Sequence, residues 1–300
     1  MGVLCSRVRL EEKLIFRALR ERDVSFERID VRALIADLNG SVPTCCDIVL
    51  VRCLSSSRAL CASRIMHMHG VRTVNAHQAI AVCGDKVLTN LALLERGVPT
   101  PRAALALSEK SALAAVEDIG YPAVLKPPVG SWGRLMAKIN DRQAAEAVVE
   151  HKKALDRPDC ASFYVQEYIH KPGRDIRTMV VGGETVYAIH RSSSHWITNT
   201  ARGGSASNLP LTPEIDRLSR SAAEAVGGEI VAVDILETAD GALLVNEVNH
   251  TPEFHGAKQV TDIDIAGRIV DYVLRVAQAD IAPVEVGRTS TQPQIGLRPT

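Results

Sequence analysis

The sequence predicts an α/β (α+β) chain in two parts: a small N-terminal unit on a parallel sheet, then a larger unit that carries the chemistry. Three observations predict it. Strand-like and helix-like segments alternate through residues 1–80, as they do where crossover helices join parallel strands. Within that stretch Ile48-Val49-Leu50-Val51 is a continuous apolar run, typical of a strand covered on both faces. Further on, two alternating runs flank Asp240-Gly241, a strong hairpin signal.

Val3-Leu4-Cys5 reads as the first strand, and Glu11 to Glu21 as a helix with Leu14, Ala18 and Leu19 on one stripe. Phe26 to Val31 is a strand, Asp47 to Val51 the next, Ser57 to His69 a helix, and Thr73-Val74 a short closing strand. No G-x-G-x-x-G follows the first strand, so a dinucleotide fold has no support. Residues 77–97 read as one helix, stopped by Gly97-Val98-Pro99-Thr100-Pro101. A helix (Ser108 to Asp118), a strand (Ala123 to Lys126), a glycine loop and a helix (Asp141 to Leu155) come next. Residues 163–169 and 176–190 read as strands, followed by a polar stretch from Ser192 to Asn208. Thr212 to Val226 is a helix with Pro213 at its first position. Strands Ile230–Glu237 and Leu243–Asn249 precede a last helix from about Asp264 to Ala277. Residues 281–300 hold three prolines and no apolar period, and read as a disordered tail.

Composition narrows the function classes. Over 300 residues, 35 Lys and Arg balance 35 Asp and Glu, which disfavours a non-specific nucleic-acid binder. Hydrophobic content of 46% with 23% charged residues is that of a folded globule. No apolar run reaches the length of a membrane span, and no secretory signal is expected. Met1-Gly2-Val3-Leu4-Cys5-Ser6 fits the myristoylation pattern, but Val3-Leu4 reads better as the start of a buried strand. Seven cysteines without a C-x-x-C pair point to reduced thiols in a cytoplasmic protein. Residues 1–80 carry 12 Lys and Arg against 8 Asp and Glu, which is either scatter or a cradle for an acidic partner.

The hairpin carries the strongest chemical signal. With Asp240 and Gly241 at a two-residue turn, paired residue numbers sum to 481, and Asp234 faces Glu247. Asn249 shares their face. Two carboxylates about 5 Å apart across a sheet repel unless something compensates. A hard cation such as Mg²⁺, held by these three oxygen donors, is the favoured reading. One protonated carboxyl, or a slipped register, is the alternative.

A phosphate side accompanies it. Lys126 ends a strand and runs into Pro127-Pro128-Val129-Gly130-Ser131-Trp132-Gly133-Arg134, a loop able to turn backbone N–H groups toward phosphate oxygens. It is not a P-loop. Asp175 and Arg177 share a strand face, while Arg191, Asn199 and Arg202 lie in or beside the long polar stretch. Arginines suit a charge-rich transition state. His67 and His69, two apart on a helix, point away from each other and read as incidental.

These motifs, with Asp85-Lys86, Gln166-Glu167-Tyr168, Lys171 to Arg177, Ser194 to Gly204 and Asn246 to Thr251, resemble the ATP-grasp superfamily across about residues 1–278. More closely they resemble its LysX type, ligases that charge an amino-group carrier protein in lysine and arginine biosynthesis. The resemblance implies an N-terminal pre-ATP-grasp domain at 1–80 and an ATP-grasp domain at 81–280, with a lid at about 100–165 and a core at about 166–280. ATP would lie between two antiparallel sheets. Lys86 and Lys126 would hold its phosphates, with the loop Gly130, Ser131, Trp132, Gly133 and Arg134 closing over them. Gln166, Glu167, Tyr168 and Ile169 would line the adenine site, Asp175 would lie near the ribose, and Asn199 would reach the nucleotide. Asp234, Glu247 and Asn249 would ligate Mg²⁺, and Arg177, Arg191 and Arg202 would act on the transferring phosphate.

The partners implied are a small acidic carrier protein and a free amino acid, with no nucleic acid or membrane, in a homo-oligomer. The carrier's C-terminal glutamate side chain would become an acylphosphate and then an amide. His250, Phe254, Gly256 and Ala257 are expected to select the amino acid. Asparagine and a small residue mark the α-aminoadipate type in that segment, glycine and phenylalanine the glutamate type. Gly256-Ala257 fits neither, and the overall motif match favours α-aminoadipate. The alternatives are a glutamate–carrier ligase, a carrier ligase for a specialised metabolite, a glutamate ligase acting on a protein tail, and a non-catalytic nucleotide-binding scaffold.

Overall fold

The computed structural model describes residues 1–39, 44, 46–130, 133–155, 162–198 and 203–281. The tail reading from residue 282 onward lies outside the described residues.

The first unit contains β1 (Gly2–Cys5), α1 (Leu10–Arg20), β2 (Glu27–Asp30), β3 (Ile48–Val51), α2 (Ser56–Met68) and β4 (Arg72–Val74). Its strands form one parallel sheet in the order β2-β1-β3-β4. β1 and β3 are buried at every residue, as central strands under helices must be. Helix α1 buries Ile15, Phe16, Ala18 and Leu19, together with two carboxylates, Glu11 and Glu12.

The single helix expected at 77–97 is two: α3 (His77–Gly84) and α4 (Lys86–Glu95). Asp85 breaks it. Its backbone is extended, and its side chain accepts from the Val87 and Leu88 N–H groups, so it caps the second helix rather than continuing the first. The break places Lys86 at a helix start, where its Nζ donates to the Gly130 carbonyl at 2.8 Å.

Next come β5 (Ala103–Ala106), α5 (Glu109–Ile119), β6 (Ala123–Lys126), β7 (Ala137–Ile139), α6 (Arg142–Leu155) and β8 (Phe163–Glu167). They give an antiparallel sheet β5-β8-β6-β7, with α5 and α6 packed on it through Ala112, Val116, Ala145 and Val149.

The last part holds β9 (Arg174–Val181), β10 (Glu184–Ser192), β11 (Ser205–Leu209), α7 (Pro213–Ala225), β12 (Ile230–Glu237), β13 (Leu243–Asn249), α8 (His255–Val260) and α9 (Ile265–Ile281). Its strands form a five-stranded antiparallel sheet, β11-β10-β9-β12-β13. One face, with Ile176, Val180, Val231, Val233 and Ile235, packs on α7 residues Ile215, Leu218 and Ala222. The other face changes character along its length. Met179, Val181, Tyr187 and Ile230 pack with α9 and α1 residues, while Asp175, Arg177, Arg191 and Asp234 occupy the opposite end and line a cleft. Strand periodicity places 175, 177, 179 and 181 on one face, so the same strands provide both core and site.

β5, β7, β11 and α8 were not expected from sequence. β5 is three alanines and a leucine, β7 only three residues long, and β11 a polar, mostly exposed edge strand. None shows the apolar period that marks a strand.

Asn75 joins the first sheet to the last. Its Nδ2 donates to the Ile230 and His250 carbonyls at 2.7 and 2.8 Å, and its Oδ1 accepts from the Glu229 and Ile230 N–H groups at 2.7 and 2.8 Å. The amide is thus fully used and only 2% exposed. Asn75→Ala leaves buried backbone groups unpaired and is expected to cost about 3 kcal/mol in urea denaturation. A loss below about 1 kcal/mol would show that the joint carries no load.

Candidate active site: a charged cleft between two antiparallel sheets

The hairpin delivers its acids face to face, by a different route from the one expected. Thr238 N–H donates to the Ala242 carbonyl and Gly241 N–H to the Thr238 carbonyl, with Gly241 at φ 86°. This is a three-residue loop with a left-handed glycine, not a two-residue turn. Pairs near the loop therefore sum to 480, as in Ile235–Val245. A bulge at Asn246 then adds one residue and restores Asp234 opposite Glu247. Asp234, Asn246, Glu247 and Asn249 all line the cleft.

A band of charge crosses the sheet beside them. Arg177 lies opposite Asp234 on β12, and Arg191 opposite Asp175 on β9. Arg177 holds Asp234 by two bonds, Nε to Oδ1 at 2.7 Å and Nη2 to Oδ2 at 2.9 Å. Arg191 does the same to Asp175, at 2.7 and 2.8 Å, and reaches Asp234 Oδ2 at 3.2 Å. Burial alone would raise the Asp234 pKa, but the two guanidinium groups overcome it and hold the carboxyl below its ordinary range. Burial likewise works against charge on Arg177, and Asp234 more than restores it. Asp175, expected near a ribose, is instead occupied by Arg191 and by the Thr198 hydroxyl. It fixes an arginine that faces the cleft.

Lys126 faces this band from the other sheet. It is 5% exposed, and its Nζ donates to Gln166 Oε1 at 2.5 Å and Asn246 Oδ1 at 2.9 Å. Burial pushes its pKa down to about 8, against the pull of Glu247. Gln166, Glu167, Tyr168 and Ile169 continue the same wall. Glu167 accepts the Arg102 N–H at 2.7 Å, and Lys138 Nζ sits 3.9 Å from the Tyr168 ring centre.

Most of the expected site residues therefore come together. Lys86, Lys126, Gly130, Gly133, Gln166 to Ile169, Asp175, Arg177, Arg191, Asp234, Glu247, Asn249 and His250 line one cleft. Ser131, Trp132, Asn199 and Arg202 lie outside the described residues. Arg134 is exposed and off the cleft wall. Phe254 and Ala257 are 1% exposed and belong to the core beside α9, and Gly256 is buried with them. Of the four residues expected to select the amino acid, only His250 reaches the cleft. The apolar demand of the core takes the other three.

Sequence reading placed Asn246, Lys171 and Thr198 in its motif blocks without giving them a role, and missed Ser56; all four line the cleft. Lys171 donates to Thr198 Oγ1 at 2.7 Å, and its place before Pro172-Gly173 was the available signal. Ser56 comes from the start of α2, and nothing in its neighbourhood announced it.

The donors suit a hard cation shared with a phosphate. Asp234, Glu247 and Asn249 line the cleft and offer two carboxylates and an amide oxygen, a donor set that Mg²⁺ takes together with phosphate and water. Among the described residues Asn249 Nδ2 is buried without a partner, and a phosphate oxygen there would supply one.

Two antiparallel sheets closing on a cleft with lysines on one wall and an Asp-Glu-Asn set on the other define an ATP-dependent carboxylate–amine ligase of ATP-grasp fold. The chain belongs to the RimK-like ATP-grasp family: that domain matches residues 83–273, and a LysX preATP-grasp domain matches residues 1–82. It is 38% identical to the glutamate–LysW ligase ArgX of Sulfurisphaera tokodaii, covering 89% of this chain and 95% of that protein. It is 33% identical to the α-aminoadipate–LysW ligase LysX of Saccharolobus solfataricus, covering 73% and 80%. A solved RimK domain ATP-grasp protein from Sphaerobacter thermophilus superposes with a TM-score of 0.77 at 24% identity, over 91% of this chain and 98% of that one. No helix among the described residues is long and apolar enough to cross a membrane.

Proposed function

We propose that this enzyme joins the amino group of an acidic amino acid to the C-terminal glutamate side chain of a small acidic carrier protein, using ATP. The observation that carries the reading is the row Arg191, Asp175, Arg177, Asp234 and Glu247 on one sheet, facing Lys126 across the cleft. Such a site serves transfer of a phosphoryl group to a carboxylate and needs no nucleophile of its own.

Each residue has a task. Lys86 and Lys126 neutralise the nucleotide phosphates, Gln166 to Ile169 line its base, and Arg177 and Arg191 are aimed by Asp234 and Asp175 toward the charge that develops in transfer. Glu247 and Asn249, with Asp234 beside them, would hold Mg²⁺, which when bound offsets charge on the phosphoryl group. The carrier carboxylate attacks the γ-phosphate, ADP leaves, and the amine then displaces phosphate from the acylphosphate. Closure of the cleft keeps water from that intermediate.

For the amino acid, glutamate is supported by the higher identity to a glutamate ligase, 38% against 33% for an α-aminoadipate ligase. α-Aminoadipate, which the motif blocks favoured, is one methylene longer, a difference a pocket resolves by only about 1–3 kcal/mol. Mass spectrometry of a small acidic protein ending in glutamate, after incubation with ATP, Mg²⁺ and each acid in turn, is expected to show one added glutamate. An adduct from α-aminoadipate alone would move the assignment to that acid. No adduct from either would sink the ligase reading.

A further inference from the structure

We propose that Glu253 receives the α-ammonium group of the incoming amino acid, held for that task by a chain of alternating charges, the buried Arg52 and Glu12 and the half-buried Arg9. The assignment rests on the ligase reading above.

Among the described residues five carboxylates line the cleft: Glu167, Asp175, Asp234, Glu247 and Glu253. Asp175 and Asp234 are each held by arginine guanidinium groups, and Glu167 lies on the stretch proposed to line the nucleotide base. Glu247 stands at the position proposed for the cation. Glu253 is left, on the stretch of wall formed by Ser56, His250 and Thr251. A ligand that arrives as an ammonium ion needs an anion to meet it, and a charge-assisted bond of this kind is about twice as strong as a neutral one.

The support behind Glu253 is built for aim. Its Oε1 accepts from Arg9 Nη1 at 2.8 Å, the one hydrogen-bonding partner of this side chain among the described residues. Arg9 is in turn clasped by Glu12 through Nε at 2.9 Å and Nη2 at 2.7 Å. Glu12 is fully buried and takes Arg52 Nε at 3.1 Å. Arg52, equally buried, also donates from Nη2 to the carbonyl of Pro252 at 2.9 Å, the residue just before Glu253. One arginine thus fixes both the backbone of Glu253 and, through two further ions, its side chain. Burying charged pairs contributes little net stability relative to apolar packing. Placing a carboxylate in advance of its ligand is the use that such a chain serves.

The test separates this assignment from the reading beneath it. Hydroxylamine traps a carrier acylphosphate as a hydroxamate and brings no ammonium group with it. Glu253→Gln is expected to keep forming the hydroxamate while the KM for the amino acid rises on the order of 10–100-fold. Inhibition by the matching acid without its amino group, glutarate or adipate, should be the same in both proteins. An amino-acid KM within twofold of the wild type overturns the proposal. So does parallel loss of hydroxamate formation or of inhibition by the deaminated acid, which would make Glu253 a general support. If the wild type itself yields no hydroxamate, the ligase reading fails and takes this assignment with it.

Discussion

Glu247→Gln is expected to stop ADP formation almost completely, with a fall in kcat on the order of 10²–10³-fold or more. The substitution keeps the shape of the side chain and removes the negative charge that faces Asp234 across the hairpin. Asp234 is a poor substitute, because both of its oxygens already accept from Arg177. Glu247 is therefore the carboxylate best able to give its charge to a cation. The variant should fold normally, since Glu247 lies on the cleft wall and not in the core. Normal turnover of the variant at saturating Mg²⁺ would remove the metal assignment. Asp234→Asn provides the contrast: it leaves Arg177 and Arg191 without their shared counter-charge, so it should lower stability as well as rate.

Lys126→Ala should raise the KM for ATP by on the order of 10²-fold, the worth of one charge-assisted phosphate contact in a water-poor site. The wild type also has a pH signature. Burial holds the Lys126 pKa at about 8, and only the protonated amine can grip a phosphate. Below that pH the free enzyme is already charged and ATP affinity is flat. Above it, binding must take up a proton, and the KM for ATP is expected to climb by about tenfold per pH unit. Lys126→Arg, which stays protonated throughout, should flatten that climb. A KM that is level from pH 7 to 10 in the wild type would show that the amine is not used to hold the nucleotide.

The sequence was most legible where one strand pattern served one purpose. Ile230–Glu237 and Leu243–Asn249 appear with the bounds read from their alternation, because one face is apolar and the other holds the site. Legibility failed where two purposes competed for the same residues. Phe254, Gly256 and Ala257 looked like a specificity segment, yet the core behind α8 claims them. Asp85 looked like a residue inside a helix, yet its side chain satisfies the start of the next one. Asp175 and Arg191 are 16 residues apart in chain order and meet because β9 and β10 pair. The chain of charges from Arg52 through Glu12 and Arg9 to Glu253 joins distant parts of the polypeptide, and no local pattern could have announced it.

The bulge at Asn246 has a consequence for how this hairpin tolerates change. It turns two chain neighbours, Asn246 and Glu247, toward the same side of β13, while Val245 and Val248 keep to the other. Deleting Asn246 should therefore leave Asp234 opposite Glu247 and remove only an acceptor of the Lys126 amine. Length variation in residues 239–241 stays at the exposed tip, so the hairpin separates what its end can vary from what its inner half must keep.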